Sequence, residues 1–138
     1  MRKSDFIGVV DILFSRKEQA SNEMNDLLLK FQNEFPPRRS SKGYMLQGLQ
    51  CGRKGCTECP HSLKWRYYVR HERKVVWGKS RRDRLPPSFW KSKRDELVLD
   101  RFRYYEREVG RINKEKAKIQ SKIKNAYLKT LAAMKSVT

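Results

Sequence analysis

Apolar residues recur at heptad spacing through the first quarter of the chain, at Phe6, Val10, Leu13, Ala20, Met24, Leu27 and Phe31, with Lys17 and Glu34 as off-pattern members of the same seam. Seven apolar positions of nine predict an amphipathic helix over 5–35. Ser4 stands where an N-cap would sit, which places Asp5 in the first turn, where its charge complements the helix dipole. Gly8 and the cap-like run 15–18 leave room for a break in this helix, and Pro36 and Pro37 end it. A second, longer pattern runs from about 88 to 134 through Val98, Phe102, Tyr105, Val109, Ile112, Ile119, Ile123, Ala126 and Ala133, with Lys116 and Thr130 as exceptions. Near its end the apolar stripe drifts toward Leu128, Leu131 and Met134, as a straight helix would make it do. A helix of ~40 residues would be about 60 Å long and needs a packing partner.

Between the two patterns, strand-like runs fall at 44–50, 63–70 and 74–77, the last two joined as a hairpin across His71, Glu72 and Arg73. In the second run Leu63, Trp65, Tyr67 and Val69 point one way, and Lys64, Arg66, Tyr68 and Arg70 the other. The expected fold is mainly α with a small β tip. Two long helices form an antiparallel, coiled-coil-like helical hairpin, and a three-stranded, cysteine-containing sheet folds at the tip between them. At 138 residues this is a single domain, with a helix over 5–35, a basic tip over 36–87 and a long helix over 88–135. The first helix covers ~45 Å at most, so part of the longer seam is left for a second copy of the chain or another protein.

Charge sharpens this picture. The formal net charge of +18 divides into −1 over 1–35, +13 over 36–95 and +6 over 96–138. The middle segment also holds every cysteine, both histidines and all three tryptophans. Concentrated positive charge is the electrostatic footprint of a polyanion binder. Lys64, Arg66, Arg70, Arg73, Lys74, Lys79, Arg81, Arg82 and Arg84 are the candidate phosphate contacts, with Trp65, Trp77 and Trp90 either stacking on bases or forming the core of the tip. Lys114, Lys116, Lys118, Lys122, Lys124 and Lys129 continue the charge along the long helix, as a solvated face or a track for a duplex.

Cys51, Cys56, Cys59 and His61 fall within eleven residues as C-x4-C-x2-C-x-H. Three thiolates and an imidazole make a valid tetrahedral zinc set. Gly52 and Gly55 permit the positive φ values of a tight metal loop, and Pro60 stiffens its last step. Bringing Cys59 and His61 to one ion requires a bent backbone, and ordinary unligated thiols are the competing reading. A plant-type iron–sulfur cluster would need a fourth cysteine, and an odd count disfavours a disulfide framework. His71 is either a surface residue or a substitute ligand for His61.

The run Cys51-Gly52-Arg53-Lys54-Gly55-Cys56, then Cys59-Pro60-His61, then Trp65, Tyr67 and Tyr68 on a basic strand, resembles a group of short bacterial and phage proteins of unassigned activity. In that group a C-G-K-x-x-C-x-C or C-x-x-C-P-H segment precedes G-P-Y-W-Y-x-Y, a basic hairpin and a helix. The resemblance covers roughly 45–120, with Ser62-Leu63-Lys64 standing in place of G-P-Y, and implies a phage or mobile-element origin.

No P-loop, nucleophile elbow, carboxylate cluster or H-E-x-x-H is present, and the middle segment's acids are Glu58, Glu72, Asp83 and Asp95. A metal-dependent nuclease would want several convergent carboxylates. No apolar run is long enough to span a bilayer, and no small-residue cleavage site follows the first apolar stretch, so the chain reads as cytoplasmic and unprocessed. The expected function is a small non-enzymatic nucleic-acid-binding regulator, DNA favoured over RNA. The alternative is an assembly factor that docks a protein partner through its helical seam.

Overall fold

Helix α1 runs unbroken over Lys3–Glu34 in a computed structural model that describes residues 3–36, 42–56, 58–92 and 95–137; the side chains at 3–7, 9, 10, 136 and 137, Phe6 and Val10 among them, lie outside the described residues. Neither Gly8 nor the 15–18 run interrupts the helix; Ser4 falls within its span, and the capping expected of its side chain lies outside the described residues. Leu13, Lys17, Ala20, Met24, Leu27 and Phe31 are all buried, so the heptad reading located the packed face and Lys17 belongs to it.

The segment expected as one helix over 88–135 is two. Helix α2, Pro87–Lys91, begins with a proline at its first turn and buries Phe89. It stops at Ser92, whose backbone is extended and whose hydroxyl donates to the Phe89 carbonyl at 2.6 Å. Helix α3 then spans Glu96–Val137. The Asp95 carboxylate accepts the Leu97 N–H at 2.8 Å, so the helix restarts on its own N-cap. Along α3 burial is complete from Leu99 through Phe102, Tyr105, Val109, Ile112 and Lys116 to Ile119, and only partial at Ile123, Ala126 and Thr130. Of the three residues toward which the stripe is expected to drift, Leu131 is partly buried while Leu128 and Met134 are exposed.

Helices α1 and α3 touch through named pairs. Arg101 Nη2 donates to Glu34 at 2.9 Å, the Tyr105 hydroxyl also donates to Glu34, and Arg111 Nη2 lies 3.3 Å from Glu23. Phe31 is the hub of the core, its ring 5.1 Å from Tyr105, 5.4 Å from Trp65 and 5.7 Å from Phe102, all edge-on, the arrangement favoured by aromatic quadrupoles.

Strands β1 (Lys42–Gly48), β2 (Leu63–His71) and β3 (Lys74–Arg82) form an antiparallel meander in that order. Trp65, fully buried, presses the sheet onto Phe31 and Phe102. Asn113 of α3 accepts the Leu63 N–H at 2.8 Å and donates to the Leu63 carbonyl at 2.9 Å, fixing the start of β2. The sheet therefore lies along the flank of the helices, reaching α3 from Phe102 to Asn113, and does not stand beyond their ends. Strand β3 is five residues longer than expected. It pairs again after an irregularity in which Gly78, Lys79 and Ser80 face Tyr67 alone, and Gly78 approaches so closely that an added Cβ would meet the Tyr67 carbonyl at 3.3 Å.

Candidate metal centre and basic sheet face

The cysteine loop is the connection of the β1–β2 hairpin. Past the last ladder pair, Gly48 opposite Leu63, two more backbone bonds close its neck: Leu49 N–H to Ser62 O at 2.8 Å and His61 N–H to Leu49 O at 3.0 Å. Cys51 and His61 leave opposite sides of this neck, so strand register brings the first and last ligands together. Gly52 and Gly55 both adopt φ of +73°, as the loop chemistry predicts, and the Cys59–Pro60 peptide is cis.

The four ligand atoms all lie within 4.8 Å of one another. Cys51 Sγ is 3.5 Å from Cys59 Sγ, Cys59 Sγ is 3.6 Å from Cys56 Sγ, and Cys56 Sγ is 3.7 Å from His61 Nε2. A tetrahedron with metal–sulfur bonds of ~2.3 Å has sulfur–sulfur edges of about 3.8 Å, whereas a disulfide would bring sulfurs to about 2.05 Å. The cluster thus has the dimensions of a four-ligand metal site and those of three free thiols, not of a disulfide. His71 closes the opposite end of β2, paired with Lys74, and is not a ligand.

The local electrostatics favour a thiolate. The Cys51 thiol is lowered to about 6, first by the backbone hydrogen bond at Arg53 and then by His61 and Cys56. The Cys59 thiol moves up: a backbone hydrogen bond at Cys51 pulls it down, but desolvation and the neighbouring Cys51 and Cys56 sulfurs outweigh it.

Beneath the loop sit the two lysines that break the heptad patterns. Lys17 is 6% exposed and Lys116 is 4% exposed. Lys17 Nζ pairs with the Glu58 carboxylate at 2.7 Å; Lys116 Nζ donates to the Glu58 carbonyl at 2.6 Å and to the Pro60 carbonyl as well. Ser21 of α1 donates to the Glu58 carbonyl at 3.4 Å. Burial drives the Lys116 ammonium below its ordinary value, with Lys17 adding to this and Glu58, Cys59 and Cys56 opposing it. The Glu58 carboxyl is held low, first by its hydrogen bond from Lys17. Sequence reading missed this cradle as part of the site. Its signal was present: a lysine interrupts each seam, one in each helix.

The nine candidate phosphate contacts do not share a face. Residues directly opposed across antiparallel strands point the same way. Arg66 opposes Arg81, Tyr68 opposes Trp77 and Arg70 opposes Val75, so Lys64, Arg66, Arg70 and Arg81 lie on the face turned away from Trp65 and the helices. Arg82 opposes Trp65 and Lys74 opposes His71, which puts both on the other face, while Arg73 is in the turn, Lys79 in the irregular stretch and Arg84 beyond β3. Tyr68 is buried on the outer face because it lies across Gly43, where an added Cβ would sit 3.7 Å from its ring, and beside Trp77 at 6.2 Å. Arg66 is ordered there too, its Nε donating to Gly78 O at 2.7 Å and its guanidinium 5.6 Å from the Trp77 ring. Lys64 pairs with Asp83. Of the tryptophans, Trp65 alone is fully buried, Trp90 is half-buried against Phe89, and Trp77 is exposed.

No protein-family model, curated protein or solved structure matches the chain. No described helix is long and apolar enough to cross a membrane.

Proposed function

We propose that this chain is a small, non-enzymatic, zinc-containing nucleic-acid-binding protein. Its two long helices act as an antiparallel, coiled-coil-like support for a basic sheet. Cys51, Cys56, Cys59 and His61 hold one zinc ion whose role is structural: it ties the β1–β2 connection into a fixed knuckle, and a small sheet benefits because metal binding adds directly to folding free energy. The outer face of β2 and β3 contacts phosphates through Lys64, Arg66, Arg70 and Arg81, with Trp77 beside them as a stacking surface. The observation that carries the nucleic-acid reading is the coincidence, on one sheet face, of the half-exposed Lys64, Arg66 and Arg70, the exposed Arg81 and an exposed tryptophan already in contact with Arg66. The resemblance of the cysteine and basic-strand segment to short phage and bacterial proteins makes a phage or mobile-element regulator the natural setting, with DNA the first ligand to try.

The test is a binding titration of the purified protein against duplex and single-stranded DNA as a function of salt. Four neutralised phosphates give a slope of log affinity against log salt of roughly −3.6 on a duplex and about −2.8 on a single strand. Replacing Arg66 and Arg81 by Ala should bring the slope to about half of that. Salt-indifferent binding, or none at ~50 mM salt, sinks the reading. A second reading, docking of a protein partner along α3, draws on the exposure of Tyr127, Leu128 and Met134; a protein inactive on DNA that sediments as a dimer would favour it.

A further inference from the structure

Two lysine ammonium groups and one carboxylate meet under the cysteine loop, and the arithmetic of their charges is unbalanced. Lys17 is matched by Glu58 at 2.7 Å. Lys116, more deeply buried, has no carboxylate within ion-pair distance among the described residues; its hydrogen bonds end on the carbonyls of Glu58 and Pro60. That leaves one surplus positive charge on a side chain that is itself buried, an expensive arrangement unless a negative charge stands nearby. The two carbonyls that Lys116 holds flank Cys59, whose Sγ lies 3.5 Å from that of Cys51 and 3.6 Å from that of Cys56, so the sulfurs are the candidate source of that charge. Three thiolates, a neutral imidazole and a divalent ion sum to −1.

We infer that Lys17 and Lys116 are built-in counter-charges for an anionic three-thiolate, one-imidazole metal centre, and that Lys116 also positions it by holding the carbonyls on either side of Cys59. This rests on the zinc reading of the same four ligands and deepens it, because it specifies the charge of the occupied site. A divalent ion bound by three thiolates neutralises the cradle, while a neutral site of two thiolates and two imidazoles leaves one cation unmatched. Lys116 reaches the loop from α3 and Lys17 from α1, so both helices recognise the charge as well as the shape of the knuckle.

Zinc affinity, measured by competition with a chromophoric chelator on the full chain, tests this through crossed variants. Lys116→Met and Lys17→Met should each lower zinc affinity by about tenfold or more, the size of coupling expected between contacting charged groups. Cys51→His, which turns the occupied site neutral, should weaken zinc in the parent but weaken it less by a factor of several in either lysine variant, because the cradle is then already balanced. A purely structural role for the lysines would not produce this compensation. Cobalt(II) spectra report, in each variant, whether the ion keeps tetrahedral thiolate ligation. If Lys116→Met fails to fold, Lys17→Met makes the same charge change from the other helix and decides the matter. A parent chain that binds no zinc removes the metal reading itself. A parent that binds one zinc, with lysine variants that bind it equally well and show no compensation with Cys51→His, overturns the counter-charge inference alone.

Discussion

Positive charge is used in two opposite ways within this chain. Under the cysteine loop two lysines are buried, each held at a defined distance to an oxygen, and they come from α1 and α3. On the outer face of β2 and β3 the cationic residues are exposed or half-exposed and come from neighbouring strand positions. Buried charge in low dielectric is costly to leave unmatched, so it specifies its partner closely; exposed charge is screened within ~10 Å and specifies only the sign of what it meets. The two regions therefore fail differently. On the proposed reading, the knuckle should be sensitive to single atoms and to metal, the sheet face to ionic strength.

Metal removal is the largest perturbation expected. On the zinc reading, withdrawing the ion removes the charge that holds the Cys59 sulfur 3.5 Å from that of Cys51 and 3.6 Å from that of Cys56, and deprives the Lys116 cradle of its anionic centre. Apparent structural-zinc energies of ~10 kcal/mol or more in small peptides set the upper bound; here the packed helices retain part of the structure. Chelation should therefore speed amide exchange at 49–62 by orders of magnitude while most helical circular dichroism persists, since the core of Phe31, Tyr105, Val109 and Ile112 lies outside the loop. Exchange unchanged at the loop after chelation would mean that hydrogen bonds alone maintain it.

A substitution that changes no charge tests the loop's shape apart from any metal. Gly48, at the neck of the hairpin, has no room for a side chain: a Cβ there would lie 2.7 Å from Pro60 Cβ and 3.1 Å from Leu28 Cδ1. The buried proline ring cannot rotate away, so Gly48→Ala should cost about 1–3 kcal/mol in a urea titration and shift the segment between Cys59 and His61. Gly110→Ala is the matched control, exposed on α3 with nothing within 4 Å of its added Cβ, and should stabilise the helix by up to ~1 kcal/mol. Equal effects at the two glycines would show that the neck tolerates more movement than its packing implies.

Much of this contrast is legible in the amino-acid sequence, though unevenly. Periodicity locates the packed faces, because helix burial follows from side chains every three or four residues. The cluster of Cys51, Cys56, Cys59 and His61 is legible as well, because the four residues that could hold a metal lie close together in sequence. What escapes are features decided by contact between distant segments. Lys17 and Lys116 read as flaws in two separate seams, and their meaning emerges when Glu58 is seen between them. Ser92 and Asp95 each make a short hydrogen bond that favours ending or restarting a helix, yet a continuous apolar pattern over 88–135 conceals the break. Strand β3 looks finished at Trp77 because Gly78 usually ends a strand, whereas here it lets the chain pass close to Tyr67 and pair again at Arg81 and Arg82. The basic residues can be counted from the sequence, but alternation across two strands divides them between faces.

The smallest expected effect lies between the two regimes, at the half-exposed pair of Glu34 and Arg101. The Arg101 hydrogen bond is the first cause holding the Glu34 carboxyl below its ordinary 4.5, with the Tyr105 hydroxyl assisting against the opposing cost of burial. A carboxyl depressed in the folded state contributes stability above about its unfolded value, and that contribution is lost as pH falls through the lower folded value. Because the two side chains are 42% and 29% exposed, solvent screening limits the contribution to less than ~1 kcal/mol. Urea midpoints compared at pH 6 and at pH 3 should therefore fall slightly less for Glu34→Gln than for the parent, and the difference should shrink further in high salt. Loss at low pH of a metal bound in the cysteine loop would affect both proteins alike, so their difference isolates this pair. A salt-independent difference of several kcal/mol would place Glu34 with the buried lysines, as a charge the core cannot do without, and would move the boundary between the two uses of charge from the cysteine loop into the helix interface.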